Sequence, residues 1–256
     1  MKKNAKQVAA TMAACALVGA MAVGGTMAYL TDNEGVTNTF TVGEVQVDLT
    51  EPNKPDEDTP RVPNEEMAKD PTITNTGEND AVMFVSFDVP MDNLVITDHT
   101  GSKQPAANVE LFDYRRESGT YDSVNDGWVL LSRTVAGDNS KVTYLYGYED
   151  TVEPDEQIAP IFDYVRMANI VEGQIDGEKL SMPVRAYAIQ SGFLQNADNT
   201  GENHNIQVGD GMSQETLTDI YQIFAAQNPE AVAADAPATN DANVSGALDL
   251  KGSPIE

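Results

Sequence analysis

Short apolar alternations divided by turn residues constrain this chain more than any other feature. Ala81, Met83, Val85, Phe87 and Val89 occupy every second position. That is the period of a strand, whose side chains point to opposite faces in turn. The stretch 36–49 alternates too. Val36, Phe40 and Val42 share one parity, and Val45, Val47 and Leu49 share the other. The parity flips at Gly43-Glu44, which predicts a β-bulge, because one extra residue returns the apolar set to the same face. Further strands are predicted over 71–75, 128–135, 142–148, 161–167 and 184–189, with Gly127, Gly137, Gly147 and Pro154 among the turn residues. Many short strands with polar turns predict a mainly β fold, an antiparallel jelly-roll-like β-sandwich rather than a βαβ sheet.

One or two peripheral helices complete this reading. The clear one lies near 213–227. Ser213 can cap it, Glu215 suits the positive end of the helix dipole, and Leu217, Ile220, Tyr221 and Phe224 form an apolar stripe. The stripe predicts a helix that packs on the sandwich or covers one of its edges.

The sandwich must be held by its core. The single cysteine, Cys15, excludes a disulfide framework, a CxxC pair and a zinc cluster of cysteines. With 15 Lys+Arg against 41 Asp+Glu, the formal charge is -26. Such a surface repels nucleic acid and anionic lipid, and no basic stripe offsets it. It also makes copies repel one another until something specific overcomes the repulsion.

The N-terminus reads as an export signal rather than as fold. Lys2, Lys3 and Lys6 precede an apolar run over 8–23, and Thr26-Met27-Ala28 offers small residues at the -3 and -1 positions. This predicts a signal peptide cleaved between Ala28 and Tyr29. This run of sixteen residues, interrupted by Thr11, falls short of the roughly 20 that span a bilayer, so no membrane attachment is expected after cleavage. The organisation read from the chain is therefore a signal peptide over 1–28, an N-terminal strand over 29–50 and a sandwich over 51–228. An acidic, Ala-rich tail over 229–256 is expected to be disordered. No LPxTG-type signal suggests wall anchoring.

Catalytic signatures are sparse. The sequence holds no HExxH, GxSxG, P-loop or EF-hand spacing. His99 and His204, the two histidines, both sit in loop-like contexts. A zinc peptidase would need them to converge with an acid. Asp56-Glu57-Asp58 and Glu149-Asp150 lack the alternating ligands of a calcium loop and read as solvated. No cofactor or metal is expected. Tyr144, Tyr146 and Tyr148 share one face of a strand. Such a row could stack sugars, as in a carbohydrate- or host-binding adhesin, or form one half-buried sheet face.

The N-terminal block carries a family resemblance. Gly24 to Ala28, Tyr29-Leu-Thr-Asp32, Asn38 to Gly43 and Val45 to Glu51 together resemble the TasA/camelysin family, as do Lys69-Asp70-Pro71 and Asn75 to Ala81. The likeness covers about the first 90 residues well. It implies a protein secreted by a Gram-positive cell, processed by a dedicated signal peptidase, and placed in the extracellular biofilm matrix or on the cell surface. It also implies self-association into fibres, with other matrix components as further partners. In the TasA branch the segment after the cleavage site is donated to the next subunit. Here the assembly strand would carry Thr37, Thr39, Phe40, Val42, Val45, Val47 and Leu49. The camelysin branch implies a cell-surface metalloendopeptidase instead, and the absence of HExxH speaks against that activity.

Cleavage is directly testable. The intact mass of the exported protein should match a chain starting at Tyr29; a lipid-modified form starting at Cys15 would contradict the reading.

Overall fold

The computed structural model describes residues 32–34, 36–38, 45–53, 59, 61–98, 100–192, 194–197 and 203–233. In chain order the strands are β1 (Asp32–Glu34), β2 (Val36–Asn38), β3 (Val47–Thr50), β4 (Glu66–Ala68), β5 (Thr72–Asn75), β6 (Ala81–Leu94) and β7 (Ala107–Glu110). They continue with β8 (Phe112–Arg115), β9 (Trp128–Val135), β10 (Lys141–Tyr148), β11 (Tyr164–Met167), β12 (Val184–Gln190), β13 (Gln195–Ala197) and β14 (Asn203–Asn205). One helix is described, α1 (Gln214–Gln227). The fold is mainly β and its strand pairings are antiparallel, as the alternation predicts.

The best alternation in the sequence becomes the central strand. β6 is 14 residues long and lies between β12 and β10, with β9 beyond β10. Ala81, Met83, Val85, Phe87 and Val89 point into one apolar cluster, and Val82 and Phe84 point into another. β6 is therefore buried on both faces. Past Val89 it leaves the four-stranded ladder and pairs with β7 through Met91 to Leu94. Pro90 sits at this crossing. The amide of Asp88 bonds to Pro183, just before β12 begins. By the period of two, residue 90 faces the same side, beyond the end of that ladder, so the missing proline N–H costs no strand bond.

The first cluster is the interior of the sandwich. β4, β8, β11, β3 and β5 supply its second layer through Met67, Tyr114, Val165, Val47 and Ile73. β4, β11 and β8 form one sheet, and β3 and β5 form another. Phe87 is the aromatic hub. It stacks on Tyr144 and Tyr146 at 5.2 and 5.9 Å and meets Tyr114 and Phe162 edge-on at 5.1 and 5.2 Å. Tyr114 and Tyr146 share a hydroxyl hydrogen bond of 2.8 Å, which satisfies both groups inside the core. The tyrosine row is thus core: Tyr144 and Tyr146 are buried, and Tyr148 lies edge-on to Trp128. The exposed aromatic face that an adhesin would use is absent at this strand.

The second cluster explains α1. Val82, Phe84, Leu145, Tyr187 and Ile189 leave an apolar patch on the outer face of the sheet, and Leu217, Ile220 and Phe224 cover it. Ser213 caps the helix by accepting a hydrogen bond from the Thr216 amide. The helix approaches so closely that a Cβ at Gly147 would lie 3.3 Å from Leu217 and Phe84. Toward the other end the same sheet face turns polar, with Ser86, Asp88 and Thr143. Asp88 accepts from Lys141, Thr143 and Arg185 at 2.7–2.8 Å, so three strands share one carboxylate. That half is polar and charge-paired, so it leaves no apolar patch for a helix to cover.

The expectations for residues 1–28, the bulge at Gly43-Glu44, the Asp56–Asp58 loop and the tail beyond 233 fall outside the described residues. Short strands at β4, β7, β8, β13 and β14 were not expected, and the strand expected from Ile161 starts only at Tyr164.

The helix–sheet contact yields the first stability test. Phe224→Ala should cost about 3–5 kcal/mol, the range for a fully buried aromatic, measured by urea unfolding. A loss below about 1 kcal/mol would mean that the helix adds little to the fold.

Candidate assembly edge

An antiparallel sheet ends in strands with unpaired backbone groups, and such margins template further pairing. Among the described residues, the main sheet ends at β12 on one side and β9 on the other. β2 and β3 both approach β12, yet neither joins its hydrogen-bond ladder. β2 instead pairs with β1, Thr37 standing opposite Asn33. β3 pairs with β5, placing Val47 opposite Asn75 and Leu49 opposite Ile73.

The residues of the expected assembly strand therefore separate. Val45 and Val47 are 1% and 3% exposed and belong to the core of their own chain, and Leu49 packs against it. Thr37 has its backbone in β2. Thr39, Phe40 and Val42 lie outside the described residues, as do Thr26, Met27, Ala28 and Tyr29 at the cleavage site. His99 lies outside them too, and His204 is described only as backbone opposite Asn196 in the β13–β14 pair.

Asn75 fixes the junction where β3, β5 and the loop before β11 meet. Its side chain donates to the carbonyls of Asn79 and Val152 and accepts from the Gly77 amide, all at 2.9–3.0 Å. Asn75 is fully buried, so each of these polar groups needs its partner. Nearby, Lys69 donates to Glu51 at 2.7 Å, and Asp70 accepts from both the backbone and the side chain of Asn53. These contacts clamp the chain just after β3.

Charge pairs brace the second layer. Glu110 on β7 accepts from Arg133 on β9 and from the Tyr144 hydroxyl, at 2.6 and 2.9 Å. Asp113 on β8 accepts from Arg166 on β11 at 2.7 Å. Arg166 also lies 3.5 Å from the centre of the Tyr121 ring, and Arg115 lies 4.4 Å from that of Tyr164. Glu66 receives a two-pronged bond from Arg115 and another from Tyr121, all at 2.6–2.7 Å. The Arg115 hydrogen bond holds the Glu66 carboxyl below the usual glutamate range, against some desolvation, with Tyr121 adding to the lowering. Burial pushes the Tyr121 hydroxyl up, and its bond to Glu66 adds to that. None of these acids stood out in the sequence, although Asp88 inside an apolar run was a legible sign of a buried pair.

No three His, Cys, Asp or Glu side chains converge as a metal site among the described residues. Those residues do not by themselves make the centre a metallopeptidase would use. Asp150, from one of the acidic pairs, accepts a hydrogen bond from the Gly211 amide instead.

A family model described as camelysin metallo-endopeptidase matches residues 3–98. No curated protein and no solved structure matches the chain significantly.

The Glu66 cluster sets a pH test. A carboxyl whose folded pKa is lowered stabilises the fold above its unfolded value, and that stability is lost as pH falls through the folded value. Glu66→Gln should lower the melting temperature at neutral pH and narrow its gap to the parent on acidification. A gap that stays constant from about pH 7 to about pH 3 would contradict this.

Proposed function

For a chain that belongs, through residues 3–98, to the TasA/camelysin family, we propose a structural role. It is an exported subunit of the extracellular matrix that assembles into fibres by β-strand addition. The donated segment would be the one before Val45, a narrower stretch than the sequence alone suggested. One observation carries the reading: β2 approaches the margin strand β12 without entering its ladder, while the described core is already closed from Val45 onward. A strand that meets a margin open among the described residues of its own subunit can meet the same margin in the next one, and main-chain hydrogen bonds then supply the affinity.

Composition supports the same segment. Thr37, Thr39, Thr41 and Val42 favour extended backbone, and no charge lies between Val36 and Gly43. An uncharged stretch within the arm matters in a chain of charge -26, because like-charged copies must approach closely. Cleavage of the signal peptide would free the arm at export. This reading assigns the chain no catalysis, no cofactor and no affinity for nucleic acid.

Electron microscopy and light scattering of the chain from Tyr29 onward test it. Fibres should form, faster as salt rises, because the screening length shrinks from about 30 Å at 0.01 M to about 8 Å at 0.15 M. Acidification toward the pI of about 4.1 should act in the same direction. Replacing Thr37 and Thr39 by Pro should abolish fibres at an unchanged melting temperature. A parent chain that stays monomeric at every salt and pH would overturn the proposal. The family's description favours a second reading, a peptidase. Chelator-sensitive cleavage of casein that vanishes in His99→Ala or His204→Ala would favour it.

A further inference from the structure

The opposite margin of the main sheet has a different character. β9 spans Trp128 to Val135 and, among the described residues, pairs only with β10. Among the described residues, no other backbone bond involves residues 129–135, apart from the Leu130 carbonyl, which accepts from the Gln214 side chain. The strand reads Trp-Val-Leu-Leu-Ser-Arg-Thr-Val and contains no acid, in a chain with 41 of them. Its one charge, Arg133, is bound inward by Glu110. Leu130 is 39% exposed and, with Val62, is one of two large apolar side chains standing in solvent among the described residues.

We propose that β9 is a self-association margin, which pairs antiparallel with β9 of a second copy of this chain and joins two main sheets across a two-fold axis. Electrostatics select the occupant. Two copies of strongly negative charge repel over most of their surfaces, and the repulsion is least where a neutral strand meets a neutral strand. A two-fold pair is self-complementary, so the same strand supplies both sides. β-branched and aromatic residues with exposed backbone groups suit that pairing. The axis can lie at Leu131 or Ser132, which sets Arg133 opposite Val129 or Leu131 and keeps the two guanidiniums apart.

The margin also carries two brakes. The register with β10 shifts between Leu145 and Tyr146, so that Leu130 and Ser132 face adjacent partners and Leu131 is the extra residue. Such a bulge twists an edge. The Gln214 amide occupies the outward Leu130 carbonyl. Both make the association concentration-dependent rather than permanent. The contact is independent of β2, which lies near β12 at the far side of the sheet. It would join fibres or subunits sideways, where strand donation joins them in sequence.

Single cysteines test the proposal in the chain from Tyr29 onward, which has no cysteine of its own. A two-fold strand pair brings Ser132 close to its own copy. Under mild oxidation, Ser132→Cys should give a disulfide-linked dimer about tenfold faster than Val62→Cys, through the raised effective concentration of the paired thiols. Adding Leu130→Glu should return the Ser132→Cys rate to that of Val62→Cys at an unchanged melting temperature. Equal rates for Ser132→Cys and Val62→Cys would overturn the proposal, as would a Ser132→Cys rate that Leu130→Glu leaves intact. Fibres formed by an N-terminal arm alone would give the equal-rate result, so this failure is distinct from failure of the assembly reading.

Discussion

The structure depends on one strand being buried on both faces. A sandwich strand normally shows one face to the core and one to solvent, which gives a clean alternation of apolar and polar residues. β6 departs from this: Val82 and Phe84 are as fully buried as Met83 and Val85. The outer pair has to be covered, and α1 covers it with Leu217, Ile220 and Phe224. The inner set has to meet a second layer, and the short strands from β3 to β11 supply it. Each fully buried large side chain contributes about 1.5–3 kcal/mol. Without disulfides, the fold is a set of coverings around this one wall.

Charge arrangement follows from the same economy of bases. The Arg and Lys residues of the sandwich are spent on chosen carboxylates: Arg133 on Glu110, Arg166 on Asp113, Arg115 on Glu66, and Lys141 and Arg185 together on Asp88. Three of these acids are almost wholly buried, and a buried carboxylate left alone would be strongly destabilising. With so few bases in the chain, the excess acids go to the surface and set copies apart. In the proposed assembly, approach is easiest at stretches that carry no acid, and residues 36–43 and β9 are such stretches.

Part of this was legible in the sequence because local periodicity reported it. Ala81 to Val89 gave its strand and its inward parity, and Ser213 with the Leu217–Phe224 stripe gave the helix and its cap. Other parts depend on partners far along the chain. β7 and β8 carry Glu110 and Asp113 where a strand pattern asks for apolar residues. They are admitted because Arg133 and Arg166, 23 and 53 positions away, meet them. The tyrosine row was visible, but whether it faced solvent depended on Phe87 and Tyr114 from other strands. The division at Val45 was only half legible: the parity flip at Gly43-Glu44 marks the place, but it is pairing with β5 that ties the second half to the core.

In the proposed role, a closed core with two different margins lets a subunit change partners without unfolding. Hydrogen exchange, compared between monomer and fibre, tests this claim most directly. The account predicts that amides of β6 exchange slowly and alike in both states, while those over 32–44 and along β12 gain protection in the fibre. Fibres in which β6 loses protection, or in which 32–44 and β12 exchange as they do in the monomer, would contradict it.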